Sequence, residues 1–305
     1  MKRFVLKAIV FMIVAFLVLN ILGYFIINSP HLSKQLSWGR LNAIVKKSKK
    51  KIPGKILILG DSVGGQLFPR KTMPSSLTVN GGCLTVGHYI LACNAVKKNK
   101  HLKFIVLACV PTVLALQFER SQTYQNVMKP FYTFENLKFL SKTILKKINK
   151  KQLAHFVIFP FVKAAACFSD IDFTVPKKKG QWGALSPTAI EYLKKLAALC
   201  EENKIKLVLI SPPVLQDRKK GTRDWERMRK QIPVYKLGKI FTGYFENIIY
   251  LSPENFVDHL HLENKYLKKN RKKIIRKILP REVFELLYKK KGKKTPAAAS
   301  SAVPG

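Results

Sequence analysis

The sequence predicts an α/β domain, with a parallel β-sheet covered by helices on both faces, behind one N-terminal transmembrane helix. Short apolar runs alternate with helical patterns along most of the chain, which is typical of βαβ units. One long run near the N-terminus carries no charge. The 305 residues are 47% hydrophobic and 10% aromatic. This composition can build a substantial core and excludes a wholly disordered chain.

The uncharged run spans residues 9–27 and has the length of a membrane-crossing helix. At about 1.5 Å per residue it covers roughly 28 Å, close to the thickness of the hydrocarbon core of a bilayer. A cleaved signal peptide is the alternative, but its apolar region would be only about 7–15 residues long. Basic residues flank both sides of the run. Those of residues 1–8 lie closest to it, which favours a cytoplasmic N-terminus. We therefore expect a single-pass protein of the cytoplasmic membrane, with its globular domain outside the cytoplasm.

The charge and the cysteines constrain the partners and the compartment. The 56 Lys and Arg residues against 17 Asp and Glu give a net charge of +39, which favours anionic partners: phospholipid head groups, an acidic glycan or nucleic acid. Residues 28–51 form a predicted basic linker that either contacts anionic lipid or is a solvated tether. The five cysteines are an odd number without a C-x-x-C pair, so most are interpreted as buried thiols. Unpaired thiols are more typical of a reducing compartment, and in this respect they oppose the predicted orientation.

The predicted globular domain covers residues 52–280, and its elements follow in order. The first strand, Lys55–Gly60, is an apolar run that ends in glycine, as buried parallel strands do. The other predicted strands are 77–80, 102–108, 205–210 and 248–251. Predicted helices are 85–98, two pieces within 114–150, 187–203 with Ser186 as N-cap, 222–232 and 264–279. Residues 281–305 form a basic tail that ends in a low-complexity segment.

Ligand sites in such sheets lie beyond the carboxyl ends of the strands, and two loops there carry reactive side chains. Ser62 follows Gly60 and Asp61 at the first strand-to-helix turn. Asp258 and His261 follow the last predicted strand. A serine hydroxyl becomes nucleophilic when a histidine removes its proton and a carboxylate holds that histidine in the right tautomer. Taken singly, Gly-Asp-Ser is often only a helix cap, and Asp-x-x-His can be a capping carboxylate beside a surface histidine. Their joint placement is more specific.

Other histidines and cysteines near these loops have plainer interpretations. His259 could join Asp258 and His261 in a metal site, but these residues alone do not complete a tetrahedral set. We expect no metal and no cofactor. Cys83, next to Gly82, is interpreted as a core thiol, with a reactive thiol as the alternative. Trp225 is interpreted as a core residue that could instead line an acyl or sugar pocket.

These motifs resemble the SGNH/GDSL hydrolase superfamily. The matching segments are Ile58–Ser62, Val79–Gly82 and Phe256–Leu262, and the resemblance covers roughly residues 52–280. It implies a flavodoxin-like parallel sheet sandwiched by helices. It also implies Ser62 as nucleophile, His261 as base and Asp258 as the acid that orients it. The backbone N–H groups of Ser62 and Gly82 are the implied oxyanion donors. The family's third block normally supplies an asparagine, which residues 109–112 lack, so one donor is missing or replaced.

An N-terminal anchor with a reduced third block is similar to the branch of this superfamily that modifies cell-envelope polymers. The resemblance implies a serine esterase or O-acyltransferase that acts on an envelope glycan or a similar anionic polymer. A membrane-bound O-acyltransferase is an implied partner, and membrane lipid contacts residues 9–27 and the basic linker. The alternative is a catalytically weak or dead scaffold that binds an anionic glycan or lipid. Nucleic acid is not an expected partner, because no known nucleic-acid motif is present.

Overall fold

A computed structural model of the chain describes residues 2–29, 37–79, 85–116, 131, 134–146, 183–216 and 219–288. The strands in these residues are β1 (Ile56–Gly60), β2 (Ser76–Thr78), β3 (Phe104–Ala108), β4 (Lys206–Ile210), β5 (Val214–Leu215) and β6 (Tyr250–Leu251). The helices are α1 (Lys2–Asn28), α2 (Ser37–Ser48), α3 (Ser62–Leu67), α4 (Thr85–Lys98), α5 (Pro111–Leu114), α6 (Lys142–Lys146), α7 (Pro187–Glu202), α8 (Lys219–Val234), α9 (Asn264–Ile278) and α10 (Arg281–Tyr288). Two 3₁₀ helices cover Phe134–Phe139 and Pro253–Asn255.

The main sheet has four parallel strands in the order β2-β1-β3-β4. Gly60 pairs with Thr78 on one side and with Ala108 on the other, and Ala108 pairs with Ile210. The four strands therefore end in one row, and the loops that follow them share one edge of the sheet. The predicted α/β class with a parallel, helix-covered sheet is confirmed.

The last predicted strand differs from its prediction. It is reduced to β6, which pairs in parallel with β5 in a separate two-stranded sheet instead of extending the main one. Pro212 and Pro213 separate β4 from β5. Because proline has no N–H, it interrupts a hydrogen-bonded ladder. The chain leaves the main sheet at these prolines before it pairs with β6.

Both faces of the main sheet are apolar, and this is why its strands read as continuous hydrophobic runs. Leu57 and Leu59 of β1 belong to the larger core cluster, together with buried residues of α2, α4, α7 and α8. Ile56 and Ile58 point to the other face, where they cluster with buried residues of α3, α9 and α10. Helix α9 therefore covers the same face as the helix that begins with Ser62.

Helix α7 begins as predicted. The side chain of Ser186 accepts a hydrogen bond from the Ala189 backbone N–H at 3.0 Å, which satisfies one of the unpaired donors of the first turn. Helix α4 has the predicted bounds, and α9 differs by one residue. Most of the segment between residues 114 and 150 lies outside the described residues, which show α6 and the 3₁₀ helix at its end.

Helix α1 is long and apolar enough to cross a membrane. It begins at Lys2 rather than at residue 9, and its apolar side chains are exposed, as in Phe4 and Phe11. A core helix of a soluble domain would bury such side chains, so this helix is not part of the core.

The segments interpreted as linker and tail both contain structured parts. Helix α2 lies within the predicted linker, and its Leu41, Ile44 and Val45 are buried in the larger core cluster. Helix α10 lies within the predicted tail and buries Val283. The folded domain therefore extends in both directions beyond residues 52–280. Cys109 and Cys200 are buried free thiols and Cys93 is partly buried, whereas Cys83 and Cys167 lie outside the described residues.

Candidate active site

Ser62 stands at the turn between β1 and α3, directly behind a buried carboxylate. Asp61 is the N-cap of α3, and the residue is only 2% exposed. One carboxylate oxygen accepts from the Gly64 backbone N–H at 2.8 Å, and the other from the Val110 N–H at 3.1 Å. Asp61 thus joins this turn to the loop after β3.

The turn that carries Ser62, residues 60–64, is called the serine turn. It can approach β3 closely because two of its residues have no side chain. A Cβ on Gly60 would lie 2.2 Å from the carbonyl oxygen of Ala108, and one on Gly64 would lie 2.5 Å from the same atom. Both distances are far below any real van der Waals contact, so these two positions require glycine. The turn is consequently packed against the backbone of the neighbouring strand.

Burial raises the pKa of Asp61, because desolvation disfavours a carboxylate. The backbone N–H groups of Gly64, Val110 and Val63 and the charge of His261 oppose that rise. Each of these hydrogen bonds favours the ionised form. Asp61 was not a candidate in the sequence, yet it is the most buried carboxylate of the site.

Backbone contacts join the two ends of the histidine loop, residues 256–262. Phe256 and Leu262 form an isolated antiparallel bridge, and the Val257 N–H donates to the His261 carbonyl at 2.9 Å. Within the loop, Asp258 Oδ1 accepts from the backbone N–H groups of Leu260 and His261, both at 2.7 Å. The aspartate therefore fixes the backbone of the loop as well as the ring of the histidine.

The three predicted residues meet in one line of hydrogen bonds. Asp258 Oδ2 lies 2.8 Å from His261 Nδ1, and His261 Nε2 lies 2.9 Å from Ser62 Oγ. Because an ionised carboxylate can only accept, Nδ1 must carry the proton in this pair. In the neutral ring Nε2 is then free to accept the hydroxyl proton of Ser62. His261, and not His259, makes this contact.

Asp258 is partly exposed but firmly ionised. Its partial desolvation would raise the pKa. The hydrogen bonds from the backbones of His261 and Leu260, together with the bond and charge of the His261 ring, outweigh this and lower the pKa to about 2. The carboxylate is therefore negative at any pH at which the histidine could act as a base.

A glutamine that the sequence did not indicate links the two loops. Gln66 Oε1 accepts from the Leu262 backbone N–H at 3.0 Å, and its Nε2 donates to the Leu262 carbonyl at 3.1 Å. Gln66 is four residues after Ser62 in α3, so both side chains lie on the same helical face. The residue next to His261 is thus held directly against the helix that presents the serine. That spacing was the only signal in the sequence.

The remaining predicted features are only partly described. Asn80, Gly82 and Cys83 lie outside the described residues. In the loop that lacks the expected asparagine, the Val110 N–H is already used by Asp61, and the Cys109 carbonyl accepts from the buried Tyr244 hydroxyl at 2.8 Å. Among the described residues, no three His, Cys, Asp or Glu side chains group closely enough to hold a metal ion.

A small apolar cavity of about 10 Å³ lies beside the histidine loop, with space for about one water molecule. Its walls include His259 and Leu260 from the loop and Val110 from the segment after β3. Trp225 lines it from α8 and is only 9% exposed. His259 and Trp225 therefore face this cavity.

Comparison with known proteins finds no sequence relative for this chain. No model of a known protein family matches the chain, and no curated protein matches its sequence.

Proposed function

We propose that this protein is a membrane-anchored serine acyl-ester hydrolase or O-acyltransferase whose nucleophile is Ser62. The observation that carries the proposal is the hydrogen-bonded line Asp258–His261–Ser62, with contacts of 2.8 and 2.9 Å. The two ends of this line are far apart in the sequence. Gln66, in the helix that begins with Ser62, bonds to Leu262, which lies 196 residues later and next to His261. A nucleophile, a base within hydrogen-bond reach and a group that orients the base form the recognisable arrangement of acyl transfer.

The reaction proceeds in two steps. Ser62 Oγ attacks the carbonyl carbon of an acyl ester while His261 Nε2 takes the hydroxyl proton, and Asp258 stabilises the resulting imidazolium. The ester C–O bond then breaks, and His261 returns the proton to the departing alcohol. In the second step water or a glycan hydroxyl attacks the acyl-serine, and His261 again moves the proton. Water yields hydrolysis, and a hydroxyl acceptor yields transfer.

The oxyanion formed in each step requires N–H donors near Ser62. Ser62 is the first residue of α3, so its backbone N–H has no intrahelical acceptor and can serve. The second proposed donor is the Gly82 N–H, as the SGNH/GDSL resemblance implies.

The fold and the anchor support the finer assignment. The order β2-β1-β3-β4 is that of the first four strands of a flavodoxin-like sheet, which the resemblance to SGNH hydrolases implies. Helix α1 is long and apolar enough to serve as the proposed anchor. The proposed location is the cytoplasmic membrane with the domain outside the cytoplasm. There the substrate is an acyl ester on an envelope glycan, and a membrane-bound O-acyltransferase is a suitable source of the acyl group.

A binding protein on an inactive scaffold is the second candidate, and one observation favours it. The segment after β3 has no asparagine, and the Val110 N–H is directed to Asp61. This leaves the oxyanion one donor short. Removal of a single oxyanion donor costs roughly 10²–10³ in kcat, which would make the site slow or inactive.

Labelling with a fluorophosphonate probe separates the two candidates. We expect the full-length protein in detergent to label covalently, and the Ser62→Ala variant to lose both labelling and turnover of p-nitrophenyl acetate. Ser62→Ala should change the free energy of unfolding by no more than about 1 kcal/mol, since it removes one hydroxyl from a turn. Ser252→Ala is the matched control, because it removes a hydroxyl from another loop. Absence of labelling in the wild type would favour the binding protein, and turnover retained in Ser62→Ala would exclude serine catalysis.

A further inference from the structure

Helix α9 carries a continuous stripe of positive charge. Seven exposed Lys and Arg side chains succeed one another at alternating intervals of three residues and one residue, so they share one face of the helix. The members of this basic stripe are Lys265, Lys268, Lys269, Lys272, Lys273, Arg276 and Lys277. From the first to the last it extends about 18 Å along the helix, at about 1.5 Å per residue.

The basic stripe stands entirely towards solvent, because the other side of α9 is buried. Leu267, Ile274, Ile275 and Ile278 pack into the core beneath the main sheet. Within the described part of the chain, none of the seven cations forms an ion pair with a carboxylate, and Lys272 lies over the ring of Tyr288. Like charges three or four residues apart destabilise a helix. An anionic partner would relieve this repulsion.

The position of the stripe connects it to the candidate active site. Helix α9 begins three residues after His261, and its N-cap Glu263 belongs to the same segment as the histidine. The helix packs beside α3, which begins with Ser62. An extended chain that lies along the stripe therefore reaches the serine at the N-terminal end of α9.

We propose that the basic stripe binds a linear acidic polysaccharide and leads its acyl ester to Ser62. The recognised chemistry is a repeated carboxylate or phosphate along one chain. The proposal rests on the proposed function for its catalytic part, whereas the binding stands without it. It specifies the substrate as a polyanion and names the surface that holds it.

The composition of the exposed face favours this partner over two others. Membrane-surface helices insert an apolar face into the headgroup region, but the apolar side of α9 is occupied by the core. Single-stranded nucleic acid is held by aromatic side chains on which the bases stack, but the exposed positions of α9 are Asn264 and the seven cations, and none of them is aromatic. A hydrophilic chain with regularly spaced anions needs only the charges that are present.

The binding test uses the full-length Ser62→Ala protein in a neutral detergent, so that no turnover occurs. The α9 variant changes Lys265, Lys268, Lys269 and Lys273 to glutamine. The control variant changes Lys97, Lys98, Lys100 and Lys194 to glutamine, which removes the same charge from the opposite face of the sheet. Lysine and glutamine have similar helix propensities. Fluorescence anisotropy measures binding to labelled polygalacturonate, as the carboxylate polymer, and to polyphosphate, as the phosphate polymer.

We expect the α9 variant to bind at least one of these polymers roughly tenfold or more weakly at low salt, and the control variant to resemble the parent. Raising the salt to 1 M should abolish binding, because the Debye length falls to about 3 Å. Equal losses in both variants would show that only net charge matters and would overturn the proposal. So would undiminished binding at 1 M salt, or an α9 variant that loses binding to anionic phospholipid vesicles but keeps both polymers.

A second experiment, which measures ester turnover, distinguishes a failure of this proposal from a failure of the proposed function. This experiment uses the α9 variant in a protein that retains Ser62. Its turnover of p-nitrophenyl acetate should equal that of the wild type, while its kcat/KM on an O-acetylated polygalacturonate falls. Localised polymer binding without any ester turnover would refute the enzyme and leave the binding surface. Equal turnover of the acetylated polymer by both proteins would show that the stripe does not deliver the substrate.

Discussion

The serine turn and the histidine loop meet at one hydrogen bond, but the protein holds them in opposite ways. The serine turn is built into the core: Asp61 is 2% exposed, and Gly60 touches the backbone of β3. The histidine loop lies on the surface, where the side chains of Asp258 and His261 are 46% and 32% exposed. Its Asp258 and His261 are held by hydrogen bonds within the loop, and Gln66 bonds to the backbone of Leu262, whose side chain is buried in the core. A change in the turn should therefore cost stability, and a change in the loop should cost activity.

The largest expected effect is that of Gly60→Ala. The new Cβ would lie 2.2 Å from the carbonyl oxygen of Ala108, and a backbone atom in a paired strand cannot move aside. We expect the free energy of unfolding to fall by more than about 3 kcal/mol, as measured by chemical denaturation. Gly238→Ala is the matched control, because a Cβ at that position would have no atom within 4 Å and its φ is not positive. A Gly60→Ala protein as stable as the control would mean that the turn is not packed as described.

Two aspartate-to-asparagine changes compare the regions directly. Asp61→Asn places an amide NH₂ among backbone N–H donors in the core, so we expect a loss of stability of about 1–3 kcal/mol. Asp258→Asn should lower the denaturation midpoint less than Asp61→Asn does, because Asp258 is exposed and its amide oxygen can still accept the two backbone bonds. It should lower kcat strongly, although not to the level of Ser62→Ala, because the ring of His261 loses its orienting anion. Denaturation and p-nitrophenyl acetate turnover measured on both variants test this. Loss of stability in Asp258→Asn with full activity would reverse the comparison.

The local features of both regions are predictable from the sequence. Gly60, Asp61 and Ser62 predict a strand-to-helix turn, and Asp258 and His261 predict an acid and a base on one loop. Ser186 predicts a helix cap. These predictions depend on residues near one another in the chain, where spacing and propensity decide the geometry.

What the sequence did not reveal depends on contacts between distant segments. The departure of β5 and β6 from the main sheet follows from Pro212 and Pro213, but which strand β5 joins is decided by tertiary packing. Helix α2 was not predicted, because its lysines indicated a basic linker, although Leu41, Ile44 and Val45 have helical spacing. Gln66 could not be recognised because its partner, Leu262, lies 196 residues away.

Above about pH 4, the pH dependence of stability should come from a buried histidine of the core rather than from the histidine loop, where the pKa of Asp258 is already lowered to about 2. His88 of α4 is fully buried, and burial lowers its pKa from 6.5 to about 4, against a smaller opposing effect of the Gly60 backbone. The unfolded chain binds a proton below about pH 6.5, whereas the folded chain does so only near pH 4. Stability is therefore complete above pH 6.5 and falls as the pH drops towards 4, by on the order of 3 kcal/mol from this residue. Denaturation midpoints at pH 4.5 and 7.5 should differ less in His88→Gln, and an unchanged difference would assign the effect to other groups.

The smallest expected effect, and the sharpest test of the comparison, is that of Gln66→Ala. Gln66 bridges the two regions through both atoms of its amide, and each of these bonds should contribute about 0.5–1.5 kcal/mol to stability. If the two bonds from Gln66 to Leu262 position His261, their removal increases the distance between the His261 ring and Ser62. A displacement of about 1 Å can lower the rate about a hundredfold. We expect kcat and the rate of fluorophosphonate labelling to fall by about tenfold to a hundredfold, with KM for a small ester nearly unchanged.

The control for this prediction is Gln231→Ala. Gln231 makes a similar pair of side-chain bonds, accepting from the Leu185 N–H at 3.0 Å and donating to the Arg227 carbonyl at 3.1 Å, but it does not contact the histidine loop. Its loss should lower stability by a similar amount and leave kcat intact. Equal losses of kcat in both variants would mean that Gln66 acts only through general stability. A selective loss in Gln66→Ala would show that the exposed loop depends on the buried turn for its alignment.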